Sequence, residues 1–249
     1  MAETRVISPR IGTDIVKSVF TNVKTRRTGA NTVRVDAGAI VGADDGTDTL
    51  SLSAYLVIDG GTVGVDGLDY GALTDATWYA IWLIKEVGGD VTHGLLSTDF
   101  TSPAMPTGYT IKRRVGAVYY DEVITGGFVV YEQVGKRICY SNGKSVYRRD
   151  MPPSTWKTIN LTEVVPTTVS VGYFQIRGPN TDSVLYISYD SVGKHFVGDS
   201  GDNGTDRQRG DGHCSLILPT QTVYIYRSGS HPGENDVTIY LSSYEDNLF

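Results

Sequence analysis

The residues with the means for chemistry are four histidines, two cysteines, several aspartate-rich loops and one serine in a nucleophile-like turn. Gly198-Asp199-Ser200-Gly201 has the form of a serine nucleophile turn. Such a serine needs a histidine base and an aspartate to orient it. The first histidine, His93, stands in Thr92-His93-Gly94, not in an Ala-Ala-His-Cys box, and Asp202 follows where another glycine belongs. The stretch therefore reads as a polar turn. Asp199, Asp202 and Asp206, with Asp211 nearby, are hard oxygen donors of the kind that hold calcium. They lack the alternation and closing glutamate of a calcium loop, so a solvated acidic loop is the favoured reading, and Asp44-Asp45-Gly46-Thr47-Asp48 reads the same way. His93, His195, His213 and His231 show no metal-ligand spacing, and Cys139 and Cys214 are not spaced for zinc. The two thiols are expected to be free. Gly60-Gly61 and Gly126-Gly127 lie between strand signals and do not open a phosphate-binding helix. Carboxylates are plentiful, but sequence alone does not pair them for glycoside hydrolysis. The expectation is no catalytic residue, no cofactor and no metal. Trp78, Trp82 and Trp156 with the many tyrosines could instead form a sugar-stacking platform. Trp78 and Trp82 are assigned to the core, because their strand is apolar on both faces.

The elements that must position these residues are strands. The chain has 249 residues, 40% hydrophobic and 20% charged, enough to bury a core. Gly 29 and Pro 9 suit many turns, and Tyr 16 against Met 3 suits strands. A net charge of −6 argues against a global drive toward nucleic acid. Lys112-Arg113-Arg114 is read as a solvated face. The longest apolar run, Trp78 to Ile84, is far short of the roughly 20 residues a bilayer span needs, so no membrane insertion is expected. Met1 to Arg5 lacks the apolar core of a signal peptide.

Thr77 to Lys85 is aromatic and β-branched on both alternating faces, as in a strand covered on both sides. Gly88-Gly89-Asp90 turns it toward a return strand over Val91 to Leu96. Asp236 to Ser242, Thr222 to Tyr226 and Val184 to Tyr189 alternate apolar with polar or tyrosine. Phe128 to Val134 and Arg137 to Tyr140 flank Gly135-Lys136, a hairpin turn, and Thr49 to Ile58 and Val169 to Ile176 add strands. No repeat of 20–50 residues is visible, against a solenoid or propeller. The fold class is all-β: antiparallel β-sandwich or jelly-roll modules with a short N-terminal helix or arm. Ile15, Val16, Val19, Phe20 and Val23 form a helical stripe, so residues 14–24 read as a short helix, with an extended arm as the alternative. Lys17, Lys24, Arg26 and Arg27 border the stripe with positive charge, which suits a docking or oligomer interface. A composition change at Gly126-Gly127 divides the chain into an N-terminal docking segment, 1–29, a first β domain, 30–126, and a C-terminal β-sandwich domain, 127–249.

Leu68-Asp69-Tyr70-Gly71-Ala72-Leu73 leads into Trp78-Tyr79, and Gly94-Leu95-Leu96-Ser97-Thr98 follows. Pro106-Thr107-Gly108-Tyr109 then leads into Lys112-Arg113-Arg114-Val115-Gly116. As a combination, this order resembles tail-fibre, spike and head-decoration proteins of tailed bacteriophages and prophages, over roughly residues 35 to 145. Val237 to Leu241 with Tyr244-Glu245-Asp246 is similar to the way such chains finish. The resemblance implies a non-enzymatic virion structural subunit, assembled in the bacterial cytoplasm, with other capsid or tail proteins as partners. It also implies a homo-oligomer, in number a trimer, with a host-surface glycan as a further partner. A carbohydrate-binding module is the alternative.

Overall fold

The structure, a computed structural model, describes residues 15–150, 154–177, 185–190, 211–227 and 236–248. Its contacts divide the chain into two compact units, residues 1–136 with 248–249, and residues 137–247. The division falls at Lys136, ten residues past Gly126-Gly127. The strands that follow those glycines pair with partners in the first unit.

The first unit holds β1 (Phe20–Thr21), β2 (Lys24–Arg27), β3 (Thr32–Val35), β4 (Ile40–Gly42), β5 (Thr49–Ser51) and β6 (Leu56–Asp59). It continues with β7 (Gly67–Leu68), β8 (Thr77–Glu86), β9 (Thr92–Ser97), β10 (Tyr109–Asp121), helix α1 (Glu122–Thr125), β11 (Gly127–Phe128) and β12 (Tyr131–Val134). These strands pair in the orders β1-β4-β5, β11-β10-β8-β9-β7 and β12-β2-β3-β6. All neighbours are antiparallel except β7 and β9. As its two-sided apolar pattern requires, β8 is buried on both faces. Ala80, Trp82 and Ile84 cluster with Leu95 and are flanked by Phe100, Met105 and Tyr109, while Tyr79, Ile81 and Leu83 are buried on the alternate side. Each fully buried leucine or isoleucine among them contributes about 1.5–3 kcal/mol.

The second unit holds β13 (Arg137–Asp150), β14 (Trp156–Asn160), β15 (Val169–Arg177), β16 (Leu185–Ser188), β17 (Asp211–Ile217), β18 (Thr222–Arg227) and β19 (Asp236–Asp246). They form two antiparallel arrays, β17-β15-β19-β13 and β14-β18-β16. Phe174, Ile176, Ile239 and Leu241 line the buried face of the first, and Ile159, Ile187, Val223 and Ile225 that of the second. The alternation in β18 and β19 is thus the pattern of a sheet with one covered face, and the fold is all-β and sandwich-like.

Two expectations change. The N-terminal helix does not run through to residue 24. Among the described residues the helix covers 15–17, Phe20 and Thr21 pair with Val41 and Ile40, and Asn22 takes a left-handed φ of 54°. Phe20 and Thr21 are aromatic and β-branched, types that fit a ladder better than a helix, and Asn is one of the few residues that enters the left-handed region at small cost. Thr49 to Ile58 is two strands, β5 and β6, which belong to different sheets.

Candidate functional site

The N-terminal stripe is dispersed by the fold. Ile15 is 62% exposed, Val16, Val19 and Phe20 are half-buried, and Val23 is fully buried. Val23 is therefore a core residue of the first unit. Val16, Val19 and Phe20 run along β4, where the Gly42 amide donates to the Val19 carbonyl at 3.0 Å and Phe20 pairs with Val41.

The basic run on β10 is not a solvated face. Arg113 and Arg114 are buried, at 4% and 7% exposure. Arg113 Nη1 donates to Asp44 Oδ1 at 3.3 Å, the Arg114 guanidinium lies 5.5 Å from the Phe100 ring centre, and Lys112 Nζ lies 5.4 Å from that of Trp82. Cationic stems laid on aromatic rings explain how the charges are carried inward. Burial lowers the pKa of Arg113 and raises that of Asp44, against their mutual attraction.

The acidic Asp44–Asp48 loop is likewise spent on structure. Asp45 caps Thr47 through both its amide and its hydroxyl, and Asp48 accepts from Lys85 Nζ at 2.7 Å. His93 is held by Asp66, whose Oδ2 lies 2.9 Å from Nδ1 while Oδ1 accepts the Gly94 amide at 2.7 Å. The imidazole also meets the Tyr109 ring edge-on at 5.7 Å. Both oxygens of Asp66 are engaged, so the pair clamps β9 to the loop before β7. Among the described residues no three His, Cys, Asp or Glu side chains are grouped to hold a metal ion. The turn Gly198–Gly201, the acids Asp199, Asp202 and Asp206, and His195 and His231 lie outside the described residues. Cys139 is a free, exposed thiol on β13.

The arrangement best suited to a ligand lies in the second unit, on β14-β18-β16. Trp156, Thr158 and Asn160 share one face of β14 by alternation, and Ile159 points to the other, buried face. In register, Trp156 stands opposite Tyr226, and Tyr226 opposite Tyr186. Ring centres are 5.1 Å apart for Trp156 and Tyr226, and 5.9 Å for Tyr226 and Tyr186, with the planes tilted by 39° and 46°. Thr158 stands opposite Tyr224, and Tyr224 opposite Ser188, forming a second row. All four aromatic side chains are half-buried, and Thr158 and Asn160 are exposed. Beside them an open groove of about 390 Å³ is lined by Ser145–Arg148 of β13 and Thr158–Asn160 of β14.

No family model, curated protein or solved structure matches this chain.

Of the three tryptophans considered from sequence, Trp82 is core, Trp78 is half-buried against Tyr119 with ring centres 5.1 Å apart, and Trp156 joins the aromatic row. Tyr186 and Tyr226 are the members that sequence reasoning did not single out. The available signal was that Tyr224 and Tyr226 share a face of one alternating strand.

Proposed function

We propose that this chain is a non-enzymatic structural subunit of a bacteriophage virion, in the class of fibre, spike or decoration proteins. It is anchored through its N-terminal region and displays β domains for attachment to the host surface. The observation that carries the reading is what the phage-like run of residues does in the fold. Gly71 and Gly108 take left-handed φ values of 75° and 91° at turns, and Lys112, Arg113 and Arg114 brace β10 against Trp82, Asp44 and Phe100. That run serves a stiff sheet, as a displayed scaffold requires, rather than a reacting group. The homotrimeric state comes from the resemblance.

Mass spectrometry of purified particles, induced from a strain carrying the gene, tests the proposal. The chain is expected at a stoichiometry in multiples of three. Its absence from particles while it is expressed in the cell overturns the reading. A second reading, a carbohydrate-binding module, is favoured by the row Trp156, Tyr226 and Tyr186, which gives the C-terminal unit a stacking surface of its own.

A further inference from the structure

We infer that the face carrying Trp156, Tyr226 and Tyr186, with the groove beside it, binds an acidic oligosaccharide, one bearing a uronate- or sialate-type carboxylate. This deepens the host-attachment part of the proposed function and rests on it only for the biological setting.

Three observations point to a sugar. First, the row is made of rings with polar tips, half-buried and held side by side, on the sheet face opposite Ile159, Ile187, Val223 and Ile225. A pyranose has one face of C–H bonds that stacks on such rings and an equator of hydroxyls that needs hydrogen-bond partners. Amphipathic aromatics supply the first without desolvating a charge. Second, the partners for the equator are adjacent. Thr158 and Asn160 continue along β14 from Trp156 on the same face, and they line the groove together with Ser145. Hydroxyl and amide groups both donate and accept, as sugar hydroxyls do. Third, the groove volume of about 390 Å³ lies within the ~300–1,000 Å³ typical of small-ligand sites, at the low end that suits one or two rings.

The charge of the groove chooses among sugars. Among the described residues, Arg148 is the one charged side chain that lines it, on a protein of net charge −6. A guanidinium presents a planar fork that matches a carboxylate. An acidic chain gains nothing from the protein's net charge and is met by a cation in this groove, so its carboxylate has a local partner here. A single-stranded nucleic acid would also stack on the rings, but one lining cation is a poor match for a phosphate at every residue.

The test uses the full-length chain on an array of neutral, uronate-containing and sialate-containing oligosaccharides and single-stranded DNA, followed by titration calorimetry on the best ligand. Carboxylated glycans should be retained over their neutral counterparts. Trp156→Ala should weaken binding by about tenfold or more, and Trp156→Phe by no more than about threefold. Arg148→Gln should abolish the preference for carboxylated over neutral glycans. Thr158→Glu, at an exposed position that leaves folding intact, should weaken binding of the acidic glycan while leaving the melting temperature unchanged. Retention of no glycan by the folded protein overturns the inference, as do neutral glycans bound equally well, DNA bound in preference, or affinity indifferent to both Trp156→Ala and Thr158→Glu. Particle mass spectrometry separates this from the proposed function. A chain found in particles that binds no glycan leaves the virion reading standing, and a glycan-binding chain absent from particles leaves this inference standing.

Discussion

The carbonyl oxygen of Val16 occupies the place where a side chain on Gly42 would begin. A Cβ built on Gly42 would lie 1.6 Å from that oxygen and 2.5 Å from the Val16 carbonyl carbon. The contact is with backbone, so no side-chain rotation relieves it. Gly42 also donates to Val19, which fixes residues 16–19 against β4. Gly42→Ala is expected to push this segment off the sheet and to cost about 1–3 kcal/mol, the usual scale of overpacking. Thermal melts should shift down by several degrees, roughly 2–4 °C for each kcal/mol. Limited proteolysis should cut first within residues 15–20. An unchanged melt and digest would show that the contact is not a constraint in solution.

A chain lacking residues 1–29 is expected not to fold. The deletion removes β2, which lies between β12 and β3 and pairs with both. It also removes Thr25, whose hydroxyl donates to Gln133 Oε1 at 2.8 Å and lies 3.0 Å from the Tyr131 hydroxyl, all three side chains being buried. Gln133 would keep its bonds to the Val115 and Gly135 carbonyls but lose the donor to its own oxygen. An unsatisfied buried acceptor costs about 1–3 kcal/mol, and the missing strand opens both neighbours. Circular dichroism and gel filtration should show loss of a cooperative transition or aggregation. A soluble truncated chain with a sharp melt would make β2 dispensable, and would return residues 1–29 to the role of a separable docking segment.

The sequence was most legible where a pattern is local and most opaque where the partner is distant. β8 is readable because ten residues carry an apolar pattern on both faces, and the turns at Gly71 and Gly108 because few residues other than glycine enter their φ region cheaply. Arg113 was misread because a charge is assigned to solvent unless its partner is seen. Asp44 is 69 positions away. Thr49 to Ile58 looked continuous because alternation survives across Leu52, yet the Leu52 amide turns aside to the Ala39 carbonyl and the strand ends. The aromatic row had the same difficulty. Trp156 was visible as a tryptophan, but its neighbours come from β18 and β16, and only the register of those strands brings Tyr226 and Tyr186 beside it.

The ion pair of Arg113 and Asp44 gives a double-mutant test. The Arg113 side chain is 5% exposed and that of Asp44 is 38% exposed. Asp44→Ala takes a carboxylate away from a buried guanidinium, which for a well-buried pair costs about 3–5 kcal/mol. The exposure of Asp44 screens part of that, so about 2 kcal/mol is expected by urea denaturation. Arg113→Met with Asp44→Ala should recover most of the loss, because burial works against the charged form of each partner. A double variant as unstable as the sum of the singles would mean the two side chains are not coupled.

Stability should decline at both ends of the pH scale, through groups shifted in opposite directions. Complete burial holds the Tyr131 phenol protonated well above the ordinary tyrosine range. In the unfolded chain this phenol ionises near pH ~10. Its contribution is therefore fully present below that value and is lost as pH rises toward the folded value, because only the unfolded state gains by releasing the proton. Asp99 has the reverse sign. The amide of Ser102, then the amide and hydroxyl of Thr101, hold its carboxyl below the usual carboxylate range. Its contribution is present above the unfolded value of about 4 and is lost as pH falls through the folded one. The Lys85 ammonium, then the Thr49 amide, lower Asp48 in the same direction, whereas burial raises Asp44, which offsets part of the acid limb. Urea midpoints taken across pH should thus form a plateau near neutrality with a fall on either side. Tyr131→Phe isolates the alkaline limb. The variant loses one hydrogen bond, about 1 kcal/mol at neutral pH, while Thr25 keeps its bond to Gln133. Above pH ~10 its stability should fall less steeply than that of the parent chain. Phenolate absorbance of the folded parent should show one more tyrosine resisting titration than the variant does. Parallel alkaline limbs in the two proteins would mean that Tyr131 titrates normally and is not sealed from solvent.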